Sequence, residues 1–141
     1  DLVGRHDDKL AEEQKATGVD HVINSTKEKI PAKYDITVDA VGLPATQEAA
    51  VNATVKGAQV LMFGVGKPNQ HFSMNTYKVY QKELTIKGSF INPNAFVDSL
   101  AMLSTGEVKV APIVKNLIKL EDVSDALSGK YTGKCVVKID G

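Results

Sequence analysis

Apolar positions in this chain come in short, dense runs separated by polar or glycine-containing stretches. Ile36–Val41 (ITVDAV) and Gln59–Val65 (QVLMFGV) are rich in β-branched and large aliphatic residues, and each predicts a strand. The second is almost unbroken, as expected of a strand buried on both faces. Leu84–Phe90 (LTIKGSF) instead alternates, which predicts an edge strand, with Lys87 discouraging stray pairing. Between the first two runs, Ala49, Ala50, Ala53 and Val55 follow helical spacing and predict a helix over 47–55, entered through a turn at 42–46 and stopped by Lys56-Gly57. Strands joined by a helix or a long loop imply a mostly parallel α/β sheet.

The flanks read in the same way. Asp1-Leu2-Val3 predicts the tail of a strand, and residues 8–17 a polar helix capped by Asp7 or Asp8 and closed by Gly18. Val19–Asn24 predicts a short strand, and 24–28 a polar turn. Asn75–Lys82 predicts a short helix with Tyr77 and Tyr80 on one side. Phe96–Thr105 and Glu121–Leu127 predict helices stopped at Gly106 and Gly129, 108–114 a connection or short strand broken by Pro112, and Lys134–Ile139 a last strand in a different sheet. A strand this close to the start implies that the sequence is a piece of a longer protein.

Glycines recur at or near the C-terminal ends of the central strands, at Gly42, Gly64, Gly66 and Gly88. In an open α/β sheet that edge carries the ligand, and a residue without Cβ lets another group come close. Composition narrows the rest. Seventeen basic residues balance seventeen acidic ones, so charge gives no case for nucleic acid or an anionic membrane. No apolar run nears the roughly 20 residues of a membrane span. Cys135 is the single cysteine, which excludes an internal disulfide and suits a reducing, cytoplasmic setting. The three histidines are scattered without zinc-ligand spacing, so His21 and His71 receive no role. Cys135, ahead of Val136 and Val137, reads as a small buried residue. Asp39, inside an apolar run, reads as structural.

Taken in order, YDITVDAVGLPATQEAAVNATVKGAQVLMFGVG, FSMNTYKVYQKELTIKGSF and GKYTGKCVVKID resemble the medium-chain, zinc-type alcohol/polyol dehydrogenase family over essentially the whole chain. The resemblance implies a Rossmann-like, doubly wound domain over 1–112 and, over 113–141, a return segment of the catalytic domain. It also implies that the first strand, the glycine-rich pyrophosphate loop and the zinc ligands lie outside this chain, which alone would be inactive. The full enzyme would exchange a hydride between a nicotinamide cofactor and a small alcohol or ketone. Two alternatives stay open: a zinc-free quinone reductase, and a non-catalytic nucleotide-binding module.

The resemblance also places the cofactor. Gly4 falls where NAD-preferring members carry an acid for the ribose 2′-hydroxyl, and Arg5 beside it suits a 2′-phosphate, which favours NADP over NAD. A rival alignment makes Asp1 that acid. His6 belongs to the same turn, and Lys9 stands where relatives have a basic residue beside the ribose. Val41 and Gly42 border the adenosine half. Phe63, Gly64 and Val65, with Ser89, Phe90 and Ile91, border the nicotinamide, and Lys134 is placed at the pyrophosphate. The edge strand Leu84–Phe90 resembles the strand through which members pair as homodimers or homotetramers.

Overall fold

The computed structural model describes residues 1–91 and 94–139. It divides into two compact units, Asp1–Ile91 and Asn92–Gly141.

In the first unit, β1 (Leu2–Gly4) pairs in parallel with β2 (Val22–Asn24), and α1 (Asp7–Thr17) packs on both. A second parallel ladder runs in the order β3 (Tyr34–Asp39), β4 (Thr54–Met62), β5 (Thr85–Gly88). The helices α2 (Pro44–Asn52) and α3 (Thr76–Lys82) complete this unit. No ladder bond joins the two sheets among the described residues. Asp1 ties their starting ends together: its carboxylate accepts the Tyr34 hydroxyl at 2.5 Å and pairs with Lys33 at 3.0 Å. Burial raises the Tyr34 phenol above its ordinary value.

In the second unit, α4 (Ala95–Thr105) precedes β6 (Val114–Ile118), a 3₁₀ turn at Leu120–Asp122, α5 (Val123–Leu127) and β7 (Lys134–Val137). β6 and β7 pair in parallel, so the last strand does lie in a separate ladder. Every strand pairing among the described residues is parallel. The expected α/β, Rossmann-like architecture is therefore present.

Several boundaries differ, each for a local reason. α1 begins at Asp7 with His6 at the N-cap, so neither aspartate caps it. Asp7 instead accepts the Asn24 amide at 2.5 Å and pairs with Lys27, and Lys27 first and Asn24 second hold its carboxyl below the usual carboxylate value. β2 is only Val22–Asn24. The helix expected over 47–55 is displaced toward its start, because Pro44 supplies a helical φ at its first turn and the Thr46 hydroxyl donates back to the Leu43 carbonyl at 2.9 Å. Thr54 and Val55, both β-branched, already belong to β4.

Lys56-Gly57, read as a helix stop, is in fact part of that strand. The register there passes from Tyr34↔Thr54 to Ile36↔Gln59, a bulge with Gly57 at φ +74°. A positive φ is the common need of a helix C-cap and a bulge, so glycine alone could not separate them. β5 stands at the ladder edge as expected, though shortened to Thr85–Gly88. β6 was not foreseen: Asn116, whose amide donates to the Thr132 carbonyl at 2.8 Å, interrupts its apolar pattern.

Burial overturns one expectation about β4. Thr54, Ala58 and Val60 are buried, while Gln59 is exposed and Leu61 only half-buried. Ladder register puts Ile36, Val38, Gln59, Leu61, Thr85 and Lys87 on one face, and Thr37, Asp39, Val60, Met62 and Ile86 on the other. The Thr37 hydroxyl donates to the Ala50 carbonyl of α2 at 3.0 Å, so the second face is the helix-covered one. β4 has one face buried within this chain, and Ile36 and Val38 stand exposed on the other. Within the helix it is Val51, followed by Ala53 at the C-cap, that is buried, whereas Ala49 and Ala50 are half-buried.

Candidate functional site

Three strands end level. Asp39 is in register with Met62, and Met62 with Gly88, so the segments 40–43, 63–66 and 89–91 all leave the same edge of the β3–β4–β5 ladder. Between the first two, backbone meets backbone. A Cβ built on Gly64 would lie 2.2 Å from the Gly42 nitrogen and 2.5 Å from the Val41 backbone. One on Gly42, at φ +82°, would lie 2.5 Å from the Val65 carbonyl carbon. The close approach that the sequence assigned to these glycines is therefore made by the neighbouring loop. Gly88, by contrast, would place its Cβ in open space.

Asp39, 3% exposed, sits under this crossing. Its carboxylate accepts the Val41 N–H at 3.2 Å and the Gly42 N–H at 3.0 Å, and its carbonyl accepts the Phe63 and Gly64 N–H groups at 3.0 and 2.7 Å. A burial that would be costly for an unpartnered carboxylate is offset by backbone donors. The sequence marked Asp39 only as polar within an apolar run; an acid three residues before the turn glycine Gly42 was the available signal.

Above the crossing the rim is apolar and open. Val41, Phe63, Val65, Phe90 and Ile91 are exposed, Val65 at 91% and Phe90 at 87%. The Ser89 N–H continues the ladder to the Met62 carbonyl at 3.1 Å, and Ile91 has φ +38°, uncommon for a β-branched residue. The Phe63 and Gly64 amides are already used internally. Val41, Gly42, Phe63, Gly64, Val65, Ser89, Phe90 and Ile91 are thus brought to one edge.

The remaining candidates lie elsewhere. Gly4 ends β1, where a Cβ would meet the tip of the Leu10 side chain at 2.8 Å, so close packing of α1 also favours glycine there. Arg5 and His6 are exposed between β1 and α1, Lys9 is exposed on the first turns of α1, and Arg5 forms no salt bridge among the described residues. Lys134 opens β7 in the second unit, beside an open apolar groove lined by Ile118, Leu127 and Val137. Cys135 is half-buried beside it.

Among the described residues no three His, Cys, Asp or Glu side chains gather to hold a metal ion, and the donor set does not fit a zinc site. Nor is any helix among them long and apolar enough to cross a membrane.

A family model, "Zinc-binding dehydrogenase", matches residues 2–105. The chain belongs to the zinc-binding dehydrogenase family. Among the relatives of this dehydrogenase-family chain, D-arabinitol dehydrogenase 1 of Uromyces fabae is 26% identical over 110 residues, covering 78% of this chain and 32% of that protein. Sorbitol dehydrogenase of Homo sapiens is 26% identical over 143 residues, covering 89% of this chain and 39% of that protein. The chain thus spans about a third of the length of the curated relatives it matches. Among solved structures, one from Sinorhizobium meliloti 1021, described as a zinc-binding dehydrogenase bound to NADP, superposes with a TM-score of 0.87 at 18% identity, over 98% of this chain and 44% of that one. One from Escherichia coli CFT073, described as a short chain alcohol dehydrogenase complexed with NADH, gives 0.77 at 25% identity, over 96% and 42%.

Proposed function

We propose that this chain is the larger part of the NAD(P)-binding domain, with the return segment, of a zinc-type medium-chain alcohol or polyol dehydrogenase. The observation that carries the reading is the open apolar lip at the level ends of three parallel strands, in a chain of this family. The fold class places ligands at that edge, and exposed Val41, Phe63, Val65, Phe90 and Ile91 offer a planar ring an apolar seat. A nicotinamide held here would supply reversible hydride exchange with an alcohol or ketone carbon. This chain's residues hold and orient it and shield one side of it from water.

Residues 1–112 are assigned to the cofactor domain and 113–141 to the return segment, of which 140 and 141 lie outside the described residues. The first strand and pyrophosphate loop, supplied by the longer protein, would join β1 to β3. Zinc would be held by that protein's catalytic domain, polarising the substrate oxygen. At the other end, Gly4, Arg5, His6 and Lys9 receive the adenosine ribose, and Arg5 favours NADP; Lys134 approaches the pyrophosphate. NADP-bound and NADH-bound structures both occur among the neighbours, so the choice rests on Arg5. The edge strand of segment Leu84–Phe90 pairs with its copy in a homodimer or homotetramer, in the cytoplasm.

The test is a fluorescence titration of the full-length protein with NADPH and NADH, followed by assays with sugar alcohols. Binding of at least one cofactor and oxidation of a polyol are expected; a folded protein that binds neither overturns the reading. A monomer by sedimentation overturns the pairing alone.

A further inference from the structure

We infer that Asp39 is a positioning residue for the cofactor: it locks the loop after β3 to the loop after β4, so that the apolar lip is already in place before a ligand arrives. This rests on the cofactor reading above. One residue fastens both loops. Through its side chain Asp39 accepts the amides of Val41 and Gly42, and through its carbonyl those of Phe63 and Gly64. The two loops then cross where neither glycine has room for a Cβ. They cannot slide independently, because Gly64 abuts the Val41–Gly42 backbone and Gly42 abuts Val65. The carboxylate matters as such. The Val41 and Gly42 amides both reach Oδ1, at 3.2 and 3.3 Å, and the Gly42 N–H makes its shorter bond, 3.0 Å, to Oδ2, so an Asn in its place keeps one acceptor oxygen while its NH₂ faces the Gly42 N–H. Asp39 has no path to a substrate, being buried below the crossing, so its influence passes through Phe63–Val65.

The experiment uses the full-length protein, with Asp39→Asn, Gly64→Ala and the double variant. Dissociation constants for NADPH and NADH, kcat and thermal midpoints are measured for each, with Val51→Ala, a buried position beside the start of β4 and away from the lip, as a destabilised control. The expected result is an affinity for the better cofactor at least about tenfold weaker, and a lowered kcat, in Asp39→Asn. Val51→Ala should lose thermal stability while its folded molecules bind normally. Because both site variants act through one crossing, the double variant should bind little worse than the weaker single one. Unchanged affinity and kcat in folded Asp39→Asn, or additive losses in the double variant, overturn the inference. If Asp39→Asn does not fold, Gly64→Ala decides: normal cofactor binding with Asp39 intact overturns it equally. A wild-type protein that binds neither cofactor marks failure of the functional reading instead.

Discussion

The ends of β3 and β4 and the end of β1 both meet the cofactor in the proposed enzyme, yet they are built differently. At β3 and β4 the loops are fixed by backbone: a buried carboxylate, four amides and two glycines in contact. After β1, only Gly4 is packed closely, against Leu10, while Arg5, His6 and Lys9 project into solvent. Backbone geometry is costly to alter and tolerates few residues, so it suits a ring common to both nicotinamide cofactors. Exposed side chains can be exchanged with little effect on folding, which suits the group by which NADP differs from NAD.

The largest effect expected from breaking this contrast is at Gly64. Gly64→Ala drives a methyl into the Gly42 nitrogen, and backbone atoms cannot rotate away. A loss of about 3 kcal/mol is expected by denaturant titration of the full-length protein, at the upper end of overpacking costs. A change under about 0.5 kcal/mol, the ordinary surface range, would mean that the loops are not locked. Arg5→Ala should behave in the opposite way. Stability stays within about 0.5 kcal/mol, while NADPH affinity falls about tenfold, or about 1.4 kcal/mol, and NADH affinity holds. Equal losses for both cofactors would remove Arg5 from the 2′-phosphate.

The smallest effect concerns the turn that supports the β1 end. The Asp7 carboxyl lies below its ordinary value because of Lys27 and Asn24. Its stabilising contribution is complete above the unfolded-state value, and it is lost as pH falls through the lowered folded value. Asp7→Asn should therefore be slightly less stable than the wild type at neutral pH, and the difference should vanish as pH falls below about 4, which flattens the acid limb. The groups are exposed, so added salt should shrink the difference. A variant with the wild-type acid limb would show that the pair contributes nothing to folding.

Much of the fold was legible because local rules agreed with one another. The apolar runs, the Gly18 C-cap at φ +73° and the short helix α3, which Asn75 turns out to cap by accepting the Lys78 amide, all stand near their expected places. Reading failed where one residue type serves two purposes. Gly57 serves a bulge where a helix stop was expected, and Asn116 hides β6. The unbroken run in β4 suggested two buried faces, but hydrophobicity reports what a strand can bury, and within this chain only the helix-covered side is buried.

By itself, then, the sequence determined the parallel α/β class, the family, and the edge of the sheet at which the candidate residues gather. These depend on periodicity, on turn chemistry and on motifs in order, all of them local. Only the tertiary structure decided what the glycines do. A missing Cβ records that something comes close, without naming it, and at Gly42 and Gly64 it is the neighbouring backbone. The role of Asp39 was decided in the same way, because its partners on the loop after β4 are distant in sequence and are brought to it by strand pairing alone.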